Sequence, residues 1–127
     1  MRVILVRHAE AEPGSPDEER TLTPEGREAA RALADRLGAE RIDGVLTSPL
    51  LRARETAAPI AEVAGVEAEA DERLAPGATA DDIRAAVTGQ GDTVVVVGHQ
   101  PDFGDAVLAL TGREVSFRPA GTAEVEL

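Results

Sequence analysis

The chain has 127 residues, with 13 basic against 24 acidic side chains and a formal net charge of -11, a balance that excludes the basic surface by which proteins neutralise nucleic-acid phosphates. It has no cysteine, so disulfides, thiolate metal sites and thiol catalysis are ruled out. Its length suits a single domain over residues 1–127 with a proper core, which Val, Leu, Ile and Ala must fill because Phe103 and Phe117 are the only aromatic residues.

The first element is the apolar run Val3-Ile4-Leu5-Val6, short and β-branched, the pattern of a strand covered on both faces. It ends abruptly in Arg7-His8. The acid-, Pro- and Gly-rich stretch from Glu10 to Leu22 reads as a loop. Thr23-Pro24-Glu25 then supplies an N-cap, a first-turn proline and an acid near the positive helix end. Ala29, Ala30, Leu33, Ala34 and Leu37 recur at helical spacing, and Gly38 can close that helix.

Val45-Leu46-Thr47 reads as a short strand, with Ser48-Pro49 as the cap and first turn of a helix running towards Val63. Pro59 predicts a kink or an early end in it. Val66 to Ala70 fits a short edge strand and Asp71 to Ala78 a loop. A small helix over Thr79 to Val87 is capped by Thr79 with Asp82 three residues on. The second strongly apolar run, Thr93 to Val97, ends in Gly98-His99-Gln100-Pro101. Asp102 to Leu110 reads as a helix with Gly112 past its end, and Val115–Phe117 and Thr122–Val125 as late strands. Strand alternates with helix, which predicts a mostly parallel sheet between helices.

In such folds, binding groups collect at the carboxyl ends of the strands. Arg7, His8 and His99 all follow central apolar strands, and Arg52 falls near the start of a helix after another. Two arginines and two histidines would then face one point, a cluster that repels itself unless an anion fills it. A dianionic phosphoryl group suits it best. Arg54 shares a helix with Arg52 and is expected at the surface. Arg20, in Asp17-Glu18-Glu19-Arg20, is expected to pair with neighbouring acids.

Four segments in order, Leu-Val-Arg-His-Ala-Glu, Arg-Thr-Leu-Thr-Pro-Glu-Gly, Ser-Pro-Leu-Leu-Arg-Ala-Arg-Glu-Thr-Ala and Val-Val-Gly-His-Gln-Pro, resemble the histidine phosphatase superfamily, which includes the phosphoglycerate mutases. The resemblance runs from Met1 to about Leu110. It implies a phosphoglycerate mutase-like α/β fold, a three-layer α/β/α sandwich with a mostly parallel central sheet. It also implies that His8 attacks phosphorus and becomes a phosphohistidine that water hydrolyses, while Arg7, Arg52 and His99 clamp the phosphoryl oxygens. Neutral His8 then needs an acceptor for its second N–H, and no metal or other cofactor is required. Asp17 and Arg20 are given a place in the loop beside the pocket.

Many members of the superfamily carry a glutamate proton donor two residues after a leucine in a segment like Asp71-Glu72-Arg73-Leu74; here that position is Pro76. Unless Glu72, Glu10 or Asp71 substitutes, an alkoxide leaving group has no acid. A phosphoramidate has a more labile bond and can dispense with one. The short connection from Leu74 to Val94 leaves no room for a lid. Both features resemble the SixA-type phosphohistidine phosphatases and point to a phosphorylated protein as substrate. A small phosphomonoester or sugar phosphate is the alternative, and a non-catalytic phosphate-binding module a third reading. Neither nucleic acid nor membrane is an expected partner, since no run reaches membrane-spanning length and the amino terminus is unlike a signal peptide. The expected compartment is the cytoplasm, and nothing in the sequence sets an oligomeric state.

Overall fold

The computed structural model describes residues 1–127. Five strands, β1 (Arg2–Arg7), β2 (Gly44–Thr47), β3 (Ala68–Ala70), β4 (Thr93–Gly98) and β5 (Thr122–Glu126), form one sheet in the order β3-β2-β4-β1-β5. The first four are mutually parallel and β5 runs antiparallel to β1. Four helices accompany them: α1 (Pro24–Leu37), α2 (Leu51–Ala64), α3 (Ala80–Val87) and α4 (Asp102–Thr111).

The apolar strands are continuous because each face of the sheet has its own core. Ile4, Val6, Val45, Val95 and Val97 pack with Leu33, Leu37, Ala53, Ala57 and Ile60 of α1 and α2. The alternate residues Val3, Leu5, Leu46, Val94 and Val96 pack with Ile83, Val87, Phe103 and Val107 of α3 and α4. The period-two alternation of strand side chains thus sends successive valines to opposite layers, and the three-layer α/β/α sandwich is the result.

The caps follow the sequence closely. Thr23 Oγ1 accepts the Gly26 N–H at the start of α1, and Thr79 with Asp82 forms a reciprocal capping box on α3. Gly112 closes α4 at φ 74°, a left-handed position that a side chain would strain.

Three expectations are corrected. Ser48-Pro49 does not open the second helix, which begins at Leu51 after an N-cap Leu50 that has no side-chain cap bond; Ser48 is engaged elsewhere, as described below. Pro59 does not end that helix early, for it runs on to Ala64 and is held by Ala57, Ile60 and Ala61 in the core. Packing there outweighs the missing backbone donor. Val115–Phe117 is not a strand. Its apolar character serves the core instead, where the Phe117 ring meets Phe103 edge-on at 6.2 Å. The loops contain two single 3-10 turns not foreseen, Asp17–Glu19 and Glu72–Leu74.

Candidate active site

The order β2-β4-β1 sets three chain exits side by side at the carboxyl edge of the parallel strands. Ser48 leaves β2, His99 leaves β4 and His8 leaves β1. Backbone bonds tie these exits together: the Ser48 N–H donates to the Val97 carbonyl at 2.9 Å and the His8 N–H to the Gly98 carbonyl at 3.0 Å. Gly98 is required at this point, because a β-carbon there would lie 2.4 Å from the Phe103 ring.

The two imidazoles are neighbours, with ring centres 5.3 Å apart and planes inclined at 59°. His8 Nδ1 lies 2.7 Å from the Ala9 carbonyl, which can only accept, so a neutral ring carries its proton on Nδ1 and leaves the Nε2 lone pair free. This is the acceptor the sequence required without identifying it. Ala9 is itself held: its N–H donates to Thr56 Oγ1 at 3.0 Å, and that hydroxyl donates to the Arg52 carbonyl at 2.8 Å. A hydrogen-bond chain therefore runs from α2 to the orientation of the His8 ring.

Arg52, in the first turn of α2, is 7% exposed. It donates to the Asp17 backbone carbonyl at 2.8 Å and to the Asp17 carboxylate at 3.1 Å. Arg20 donates to the same carboxylate at 3.1 Å. Arg7 donates to the Phe117 carbonyl at 2.9 Å, and its backbone is clasped by Ala120 and Gly121. The Nε donors of Arg7 and Arg52 are buried without an acceptor in the protein.

Burial lowers the pKa of both histidines, most strongly that of His99, which falls to about 4. His8 is lowered by burial and by Arg52, Arg7 and Arg20, against the opposing bond to Ala9. Near pH 7 the positive charge of the cluster therefore resides on the arginines, while both imidazoles are neutral. Asp17 is the one carboxylate whose charge reaches His99. Its own pKa is held below the usual range by its bonds to Arg20 and Arg52.

The four residues expected to converge, Arg7, His8, Arg52 and His99, do gather at one sheet edge. Arg54 is exposed, as anticipated. The Glu10 carboxylate accepts from Thr23 Oγ1 at 2.9 Å beside the start of α1, and Glu72 is exposed at the head of its 3-10 turn; neither perturbs either histidine. Asp71 is tied to Arg73. From the sequence Ser48 was read only as a helix cap, and Thr56 was given no role. Their signal was their position, one beside the end of a buried strand and the other one helical turn after Arg52.

An open α/β sheet with two histidines, the half-buried Arg7 and the buried Arg52 at its carboxyl edge has the phosphoglycerate mutase-like architecture. The family model described as "Histidine phosphatase superfamily (branch 1)" matches residues 3–76, and the chain belongs to that superfamily and is a phosphatase of its SixA-type branch. An uncharacterized protein of Picosynechococcus sp. is 33% identical over 95% of this chain and 82% of its own length. The probable phosphoglycerate mutase GpmB of Serratia proteamaculans is 41% identical over 58% of this chain and 37% of its own. Among solved structures, the protein histidine phosphatase SixA complexed with tungstate superposes with a TM-score of 0.89 at 30% identity, covering 100% of this chain and 88% of that one.

Proposed function

We propose that the chain hydrolyses phosphohistidine carried on another protein, through a covalent phosphohistidine at His8 and without a metal. The observation that carries this reading is the state of His8: Nδ1–H bonded to the Ala9 carbonyl, Nε2 free, and His99 and Arg52 alongside. His8 Nε2 attacks phosphorus in line as the P–N bond of the substrate breaks and its imidazole takes the electron pair. Arg7, Arg52 and His99 stabilise the charge on the equatorial oxygens. Water then attacks the phosphorus of phospho-His8, returning free His8 and inorganic phosphate.

The leaving group is argued from the acid that is missing. Pro76 stands at the position where the family resemblance implies a glutamate in many members, and Asp17, the carboxylate whose charge reaches His99, is kept ionised by Arg20 and Arg52. An ionised carboxylate cannot protonate an alkoxide at neutral pH. A phosphorylated imidazole needs no enzyme acid, because it can take a proton on its other ring nitrogen before it departs. The 30% identity to a structure described as the protein histidine phosphatase SixA supports the same reading.

The test compares phosphate release, with no metal added, from a phosphohistidine-bearing phosphotransfer protein and from an alkyl phosphate. Expected is rapid release from the protein, slower release from the alkyl ester by at least about a hundredfold, the usual worth of general-acid catalysis, and loss of both in His8→Ala. Equal or faster alkyl turnover would transfer the assignment to a small phosphomonoester, the reading that the likeness to a phosphoglycerate mutase favours.

A further inference from the structure

The mechanism leaves one buried polar contact unused. Ser48 is fully buried, and its hydroxyl oxygen lies 2.7 Å from His99 Nε2. The same oxygen accepts the Leu50 N–H at 3.2 Å. Ser48 is rigidly placed, with its N–H on the Val97 carbonyl and its own carbonyl accepting from Thr47 Oγ1 at 3.0 Å. His99 leaves the neighbouring strand, in which Val97 is in register with Thr47.

A serine hydroxyl has one proton and two lone pairs. The Leu50 N–H can only donate, so it consumes a lone pair. If His99 carried its proton on Nε2, Ser48 Oγ would accept twice and its own O–H would have no acceptor in a sealed interior, a costly arrangement. If Ser48 donates to Nε2, every group is satisfied. His99 then carries its proton on Nδ1, which bonds to no protein group and is not among the buried unpartnered atoms. That nitrogen is therefore not sealed from solvent.

We propose that Ser48 is a positioning residue that locks His99 in the Nδ1–H tautomer, so that Nδ1–H is the donor His99 presents to the phosphoryl oxygens. The assignment rests on the reading of His99 as a phosphoryl ligand given above, but it does not depend on which phosphorylated substrate is used. Ser48 never touches the reacting atoms. It selects which nitrogen does. The requirement for a neutral ring is met by the burial and the neighbouring Arg52 that depress the His99 pKa.

The decisive measurement is long-range proton–nitrogen NMR of the ¹⁵N-labelled chain near pH 7, where only two histidines need assignment. The wild type should show His99 with Nδ1 protonated and Nε2 bare. In Ser48→Ala the lock is gone, and the Nε2–H form should become substantially populated. Inorganic phosphate should bind about tenfold more weakly to Ser48→Ala, the worth of one misdirected hydrogen bond to an anion. Ser48→Thr, which retains the hydroxyl, should restore both tautomer and affinity. A wild-type His99 protonated on Nε2, or a Ser48→Ala chain that keeps the Nδ1–H form, would overturn the proposal. None of these readouts uses a phosphohistidine substrate, so a failure of the substrate assignment would leave them unchanged.

Discussion

Thr56 offers a test of whether the site is oriented from α2 rather than from the His8 loop alone. Its hydroxyl accepts the Ala9 N–H and donates to the Arg52 carbonyl, and both Thr56 and Ala9 are fully buried. Valine matches threonine in shape. In Thr56→Val the Arg52 carbonyl still has the backbone N–H one helical turn on, but the Ala9 N–H loses its acceptor. An unsatisfied buried donor costs about 1–3 kcal/mol, and the added buried methyl returns about 0.8 kcal/mol, so the net loss should be about 0.2–2.2 kcal/mol. With an unfolding entropy of about 0.27 kcal/mol per kelvin for a chain of this size, the melting temperature should fall by roughly 1–8 °C. Because the Ala9 carbonyl receives the His8 Nδ1–H, a displaced Ala9 also turns the His8 ring. The rate of phosphoenzyme formation should drop about tenfold, in keeping with the sensitivity of in-line attack to small misplacements. Thermal unfolding by circular dichroism and single-turnover labelling of His8 measure the two effects. Thr56→Ser, which keeps the hydroxyl, should retain the rate even if it loses some stability. A Thr56→Val chain with wild-type rate and melting temperature would refute the link, as would a Thr56→Ser chain as slow as Thr56→Val.

Two further outcomes follow from the geometry. The folded pKa of His99 is lowered from 6.5 to about 4, so between those values the unfolded chain binds a proton that the folded chain refuses, and stability should decline as pH falls through that window; chemical denaturation at pH 7 and pH 4.5 should show a smaller decline in His99→Gln, and an identical decline would dismiss His99 as the source. Gly26→Ala would gain about 1 kcal/mol by helix propensity alone, but its β-carbon would stand 2.2 Å from the Glu10 carbonyl oxygen, so the substitution should destabilise by about 1–3 kcal/mol. A stabilised variant in urea titration would show that the Glu10 turn yields freely.

Most of the frame was legible because it rests on local physics. The β-branched runs Val3–Val6 and Thr93–Val97 could be read as doubly covered strands, and Thr23, Thr79 and Gly112 as caps, since each effect acts within a few residues. The convergence of Arg7, His8, Arg52 and His99 was legible because strand ends collect at one edge in such sheets. Other features depended on partners far along the chain. Ser48-Pro49 has every mark of a helix cap, yet the serine hydroxyl is spent on His99, 51 residues away. Val115–Phe117 looks like a strand because apolar residues also occur where an irregular segment drops a ring into the core. The hold of Asp17 on Arg52 spans 35 residues and has no local signature.

The match to the family model stops at residue 76, yet the hydrogen-bond acceptor of the Arg7 guanidinium is the Phe117 carbonyl, and Ala120 and Gly121 grip its backbone from the approach to β5. The carboxy-terminal segment therefore works as a jig for the first arginine of the site, although it displays no motif of its own. Variation there should be interpreted as variation in the support of the candidate site. A chain that kept all four signature side chains but carried a lesion between Phe117 and Gly121 would pass a motif scan and still fail to aim Arg7.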